Sequence, residues 1–314
     1  MFKGRAANQK WGLSETMNTY LKALRAPFLA GSLVPVLIGS AYAFSSGPFS
    51  LRLLLICMGG IAGLHLGANL LNDYFDSMGS DPINVRVTPF SGGSRAIQDD
   101  NLSPGVVLFM AVLFFAVGLA AGILLSFLHR PLVIPIGLLG LGAGWAYSAP
   151  PLQLMSRGWG EAVIFIAFGP LITLGTFYVM SGALSWSAFA AGIPQGFFIT
   201  GVIWINQFPD YEADRRAGKR NLVVRMGPGH ARYLYLAIML MAFITIFFLT
   251  EVMGISRMIM LSFLALPLAF RAVRILWREY LSHEGIVPAQ ALTIQTLAAH
   301  GLILSVGLAL GRYL

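Results

Sequence analysis

A single cysteine, Cys57, stands in this chain of 314 residues. That excludes a disulfide framework and a cysteine-ligated metal centre, and leaves the thiol as a small buried side chain. Charge is scarce too: 11% of residues are charged and only 13 are Asp or Glu. With 57% hydrophobic residues and a mean hydropathy of +0.74, an ordinary soluble domain is excluded in favour of a membrane-embedded chain. No low-complexity stretch or separate polar domain interrupts it. No small-residue cleavage site follows the first apolar run, so that run reads as a retained helix and not a secretory signal. The net charge of +8 calls for no nucleic acid, because topology and anionic lipid account for it.

What is present is a series of apolar windows, each about 20 residues long and sufficient to cross a bilayer as a helix. Nine are expected, over 27–45, 51–71, 105–128, 132–150, 161–181, 186–206, 233–250, 257–277 and 290–311. The fold class is therefore all-α, a polytopic bundle in one membrane domain over 1–314. Prolines at 27, 35, 135, 170, 194 and 267, together with 35 glycines, predict kinked helices packed closely through small residues. Residues 1–25 read as a polar N-terminal segment. The long polar segments 72–104 and 206–232 read as active-site loops and follow the second and sixth windows, which suggests two four-helix units plus a ninth helix. With the N-terminus inside, only Arg52, Arg130, Arg257 and Arg312 of the 21 Lys and Arg fall outside. This asymmetry puts both polar segments on the cytoplasmic side.

Eight of the 13 acidic residues lie in those two segments. The first holds Asn72-Asp73-Tyr74-Phe75-Asp76, then Asp81, Asp99 and Asp100. The second holds Asn206-Gln207-Phe208-Pro209-Asp210-Tyr211-Glu212-Ala213-Asp214. Both open Asn-x-x-x-Asp, a spacing that shares one helix face, although Pro209 should bend its helix or free a carbonyl. One such cluster could simply be a solvated helix end. Two, on one side of the membrane, point to hard divalent cations bound with a phosphorylated ligand, since magnesium takes one or two carboxylates and completes its shell with phosphate and water. Arg86 and Arg95 follow the first cluster, and Arg215, Arg216, Lys219 and Arg220 the second; these can neutralise a diphosphate or simply set topology. His65 and His300 read as helix-packing residues, and His230 as solvated.

At these motifs the chain resembles the UbiA superfamily of intramembrane aromatic prenyltransferases. The first segment, with Asp81-Pro82-Ile83-Asn84 and Pro89-Phe90-Ser91-Gly92-Gly93-Ser94-Arg95, is similar to one signature of that superfamily. Asp210-Tyr211-Glu212-Ala213-Asp214, with Gly218-Lys219-Arg220-Asn221-Leu222-Val223-Val224-Arg225-Met226-Gly227, is similar to the other. Arg25-Ala26-Pro27-Phe28 and Tyr147-Ser148-Ala149-Pro150-Pro151 are lesser matches, and the resemblance runs from about residue 20 to the C-terminus. It is nearest the 1,4-dihydroxy-2-naphthoate polyprenyltransferase branch of menaquinone biosynthesis. Gln153 and Met155 depart from the Arg and Lys of many members, leaving Arg157 as the basic residue there.

The resemblance implies transfer of a polyprenyl group from its diphosphate to an aromatic acceptor, with Mg2+ as cofactor, in a bacterial cytoplasmic membrane. It implies catalytic roles for Asp73, Asp76, Asp210, Asp214 and Lys219. Asn72, Asp76, Asp210 and Asp214 would bind metal through the diphosphate. Asn72, Asn206, Arg25, Tyr147, Arg157, Arg220 and Arg95 would contact substrate, with Tyr74, Phe75 and Tyr147 as aromatic faces for an allylic cation. Other acceptors (4-hydroxybenzoate, homogentisate), a phosphoalcohol transferase and a membrane transporter are the competing readings. A transporter would usually carry ionisable groups near the midplane, where this chain has few.

Overall fold

The computed structural model describes residues 19–20, 22–47, 49–99 and 102–313; Asp100 and most of the N-terminal segment lie outside them. Among the described residues every regular element is helical. Eight helices among those residues are long and apolar enough to cross a membrane. In chain order, with the shorter apolar helix included, we label them α1 (Lys22–Ser46), α2 (Leu51–Asp76), α3 (Pro104–Phe127), α4 (Val133–Ser148), α5 (Gly160–Ser181), α6 (Trp186–Arg216), α7 (Pro228–Glu251), α8 (Arg257–Glu279) and α9 (Val287–Leu310). Each of the nine expected windows falls on one of them.

Local chemistry sets several starts. Ser50, Ser103, Ser185 and Asn221 each accept a bond from the backbone N–H three residues on, as a helix N-cap does. Pro104 sits in the first turn of α3, where its missing N–H costs nothing. The α2–α3 pair packs through small residues: a Cβ at Gly63 would stand 2.9 Å from the Phe114 carbonyl and 3.0 Å from the Gly118 nitrogen. In lipid this close approach supplies the van der Waals contact that holds helices together.

Burial sorts the helices. In the apolar window of α6, 78% of residues lie inside the protein, against 17% for α3. Hence α6 is the central post and α3 faces lipid. Inside α5, Pro170 interrupts the hydrogen-bond ladder and the helix widens into a π turn over Ala167–Leu171, as such insertions do. Ala167, Phe168 and Leu171 of that turn face an internal cavity.

One expectation needs correcting. Residues 206–232 are not a loop, because α6 continues through Pro209 to Arg216. Leu222–Met226 then forms a short helix of its own. The same holds for 72–76, which is the last turn of α2. The acidic residues are therefore mounted on helix ends, where the backbone fixes their spacing.

Candidate active site

The ends of α2 and α6 meet. Asn84, in the segment after α2, donates from Nδ2 to Asp210 Oδ1 at 2.7 Å, and the Gly92 N–H donates to Asp210 Oδ2 at 3.2 Å. The second contact depends on a turn in which Gly92 and Gly93 both take positive φ, 82° and 75°, a conformation natural to glycine. A Cβ at Gly93 would strike the Asp81 carboxylate. Lys219 closes the opposite side: its Nζ lies 2.8 Å from Asp76 Oδ1 and 3.3 Å from Asp214 Oδ1. Asn221 Nδ2 donates to Asp214 Oδ2 at 2.8 Å. Asn72 Nδ2 reaches Asp76 Oδ2 at 3.2 Å, Ser148 Oγ at 3.3 Å and Met155 Sδ at 3.1 Å.

Asn72, Asp76, Asp81, Asp210, Asp214 and Lys219 rim a cavity of about 280 Å3 that continues down between the helices along an apolar lining. Asp81 shows how much negative charge gathers here. Burial, then the charges on Asp76 and Asp73, push its pKa from 3.8 up to about 8, with Lys219 opposing them. Burial alone would lower the Lys219 pKa, but Asp76 and Asp214 outweigh it and hold that ammonium above its ordinary value.

The other expected residues divide. Arg25, Tyr147 and Asn206 line the cavity, and Asn206 Oδ1 accepts from Gln290 Nε2 at 2.9 Å. Asp73 is turned away from it, 3.8 Å from Arg25 Nη1 and accepting from the Ser94 N–H at 3.3 Å. Arg95 donates to the Asp81 carbonyl at 2.7 Å and so braces the loop instead of lining the cavity. Arg157 donates to the Pro151 carbonyl, and Arg220 is exposed; the fold leaves both outside the cavity lining. Arg86 likewise reaches outward, to the Leu281 carbonyl. Tyr74 and Phe75 pack against the core formed around Leu70 and Val107. The aromatic rings on the lining are Phe28, Phe90, Tyr147 and Phe168. His300 is in the core between Phe198 and Phe243, and His230 bonds the Met226 carbonyl at 3.3 Å on the surface.

Sequence reasoning did not assign roles to Asn84, Asn221 or Gln207. Asn84 and Asn221 stand within the two signatures, so their positions were visible while their partners were not. Gln207 lines the cavity and donates to Glu161 Oε1 at 2.9 Å, a pairing across more than 40 positions that no local pattern announces.

Does this site suit a divalent cation? Among the described residues no three His, Cys, Asp or Glu side chains form a ready cage. Yet the donors are oxygens, as magnesium prefers, and the carboxylates on the rim, Asp76, Asp81, Asp210 and Asp214, outnumber the Lys219 and Arg25 cations beside them. Such a set fits a hard cation that arrives with phosphate ligands of its own.

An acid-rich mouth above an apolar cavity, inside a helical membrane bundle, defines an intramembrane enzyme site for a ligand charged at one end and greasy at the other. Residues 32–285 match the UbiA prenyltransferase family, and the chain belongs to that family. A 1,4-dihydroxy-2-naphthoate octaprenyltransferase of Bacillus subtilis (strain 168) is 26% identical over 313 residues, covering 99% of this chain and 97% of that protein. One of Mycobacterium tuberculosis is 28% identical over 254 residues, covering 81% and 84%. UbiA prenyltransferase domain-containing protein 1 of Mus musculus is 30% identical over 260 residues, covering 82% and 75%. Among solved structures, the apo form of a UbiA homolog from Aeropyrum pernix K1 aligns with a TM-score of 0.64 at 19% identity, covering 87% of this chain and 97% of that one. A UbiA homolog from Archaeoglobus fulgidus, bound to GPP and Mg2+, aligns at 0.59 and 18% identity, covering 91% and 99%. These structures are alike in fold.

Proposed function

We propose that this enzyme transfers a polyprenyl group from polyprenyl diphosphate to 1,4-dihydroxy-2-naphthoate, as a step of menaquinone biosynthesis. One observation carries the reading. The two acid-bearing helix ends, tied by Asn84–Asp210 at 2.7 Å and spanned by Lys219, rim a single cavity whose interior is apolar. A prenyl diphosphate has that same polarity, and relatives named for the naphthoate reaction match the chain over most of its length.

The residues divide the work. Asn72, Asp76, Asp210 and Asp214 would hold Mg2+ together with the diphosphate. When bound, that cation neutralises the diphosphate and makes it a better leaving group. Lys219 supplies a second positive charge at the place where charge grows as the carbon–oxygen bond breaks and its electron pair leaves with the diphosphate. Arg25, its guanidinium over the Phe28 ring at 4.8 Å, is the other cation on the lining. Tyr147, Phe28 and Phe168 stand on the lining, where a ring face would attract the positive charge of an allylic cation. The electron-rich naphthoate ring then forms the new carbon–carbon bond, and its aromaticity returns with loss of the carboxylate as carbon dioxide. The apolar helices exclude water, which would otherwise capture the cation.

The Lys and Arg asymmetry supports a site on the cytoplasmic side, and the relatives from Bacillus subtilis and Mycobacterium tuberculosis support a bacterial cell membrane. The test is mass spectrometry of products from the purified protein, Mg2+ and one long prenyl diphosphate, across naphthoate, 4-hydroxybenzoate and homogentisate. Prenylated, decarboxylated naphthoate as the dominant product is expected. Preference for another ring would remove the acceptor assignment, and no prenylated ring at all would remove the reading.

A further inference from the structure

Asn206 follows Asn72 by 134 positions, and the same offset carries Asp76 onto Asp210. Followed inward, it pairs His65, Ala68 and Asn69 of α2 with Ile199, Val202 and Ile203 of α6. All six side chains line the cavity. The two walls therefore match at the mouth and diverge below it. Where α6 offers branched aliphatics, α2 offers an imidazole and an amide.

Polar groups in an apolar cavity cost free energy unless something bonds them. Asn69 Nδ2 is buried and without a hydrogen-bond partner. His65 uses Nδ1 on Ser32 Oγ at 2.8 Å, and the Phe168 ring holds it edge-on at 5.0 Å and 88°. That leaves Nε2 as the ring nitrogen available to a ligand, an acceptor when Nδ1 carries the proton.

A prenyl chain has no atom that these groups could bond. The diphosphate is accommodated at the mouth; at 1.5 Å per residue, Asn69 lies about 10 Å and His65 about 16 Å below Asp76 along the helix. Of the three ligand parts, only the oxygens of the aromatic acceptor remain. We infer that His65 and Asn69 form the acceptor seat: the Asn69 carboxamide hydrogen-bonds one oxygen of the ring system and His65 Nε2 accepts from a hydroxyl. The Ile199–Ile203 wall opposite takes the prenyl chain, so the asymmetry between the related helices fixes which substrate lies on which side. This rests on the prenyl-transfer reading above and adds the residues that recognise the acceptor.

The test is steady-state kinetics of the full chain in detergent with Mg2+, geranyl diphosphate and 1,4-dihydroxy-2-naphthoate, varying each substrate in turn. Asn69→Leu and His65→Leu should each raise the acceptor KM about tenfold, the loss of one to two kept hydrogen bonds, and leave the diphosphate KM within about twofold. Ile203→Ala should do the reverse. Should a Leu variant show no turnover, ligand-induced thermal shifts decide: a retained shift with diphosphate and a lost shift with naphthoate supports the seat, and loss of both overturns it. Unchanged acceptor KM in both Leu variants, with the unsubstituted enzyme active, overturns the seat alone. An unsubstituted enzyme that prenylates no ring overturns the parent reading as well.

Discussion

Removing the ammonium of Lys219 while keeping its length, as Lys219→Met, isolates the electrostatics of the mouth. The Nζ group lies 2.8 and 3.3 Å from two carboxylates, and the three side chains are between 8 and 14% exposed. With an effective dielectric of about 20, the two attractions are worth roughly 6 and 5 kcal/mol before desolvation. Taking three ions out of water opposes most of that, and breaking such a buried set by removing one partner costs about 3–5 kcal/mol. The variant should therefore lose stability of that order in EDTA, read as a lower unfolding temperature in detergent. Millimolar Mg2+ should restore much of the loss, because a cation held by Asp76 and Asp214 replaces the missing charge. Turnover should nonetheless fall by about a hundredfold, the scale for losing one preorganised charge on a developing anion. Equal destabilisation with and without Mg2+, or turnover within about threefold of the unsubstituted enzyme, would refute the placement of Lys219 between the carboxylates and the diphosphate.

Three further outcomes follow from the same geometry. Asp76→Ala and Asp210→Ala should each reduce prenyl transfer by at least about a hundredfold while the protein still elutes as a folded species from detergent gel filtration; near-normal rates in both would mean that the acids do not serve the reaction. Asn84→Ala removes the 2.7 Å bond that orients Asp210, and should weaken Mg2+-dependent diphosphate binding by about tenfold, as loss of an outer-shell partner does; calorimetry would read it, and an unchanged Kd would count against it. Asp81 gives a pH dependence. Its folded pKa is raised from 3.8 to about 8, so its contribution to stability is greatest in acid and is lost as pH climbs through that range, where the folded state binds the extra proton. Cation binding should expel that proton, so calorimetry in buffers of different ionisation heat should show on the order of one proton released per site at pH 7 and little at pH 9; no release at pH 7 would contradict the assignment.

Much of the fold was legible because in a membrane the solvent writes the rule. Every backbone polar group must be satisfied within its own segment, so a run of about 20 apolar residues is a helix. The nine windows, the lone buried Cys57 and the paired Asn-x-x-x-Asp motifs needed nothing more. Extents were less legible. Composition turns polar at Asn206, and hydropathy alone ends the span there, yet the backbone ladder of α6 runs on to Arg216 because a helix leaving the bilayer has no reason to stop at the first polar residue.

The functional residues sorted by the same logic. Residues spaced four apart on one helix, such as Asn72 and Asp76, share a face whatever the tertiary structure, so their grouping was readable in advance. Which way a face points was not. Asp73, one residue from Asn72, is turned toward Arg25 and Ser94, and Arg157 and Arg220 sit beside the motifs in sequence but outside the cavity lining. The unaided sequence determined a helical membrane bundle carrying two acid-rich segments, because lipid leaves the backbone no alternative and helical periodicity sets local neighbours. Only the tertiary packing decided that Asn84 reaches Asp210 across 126 positions, that Lys219 stands between Asp76 and Asp214, and that α2 and α6 line one cavity with unlike walls. Those contacts join segments far apart in the chain, and their partners are chosen by how the helices pack, which no single segment encodes.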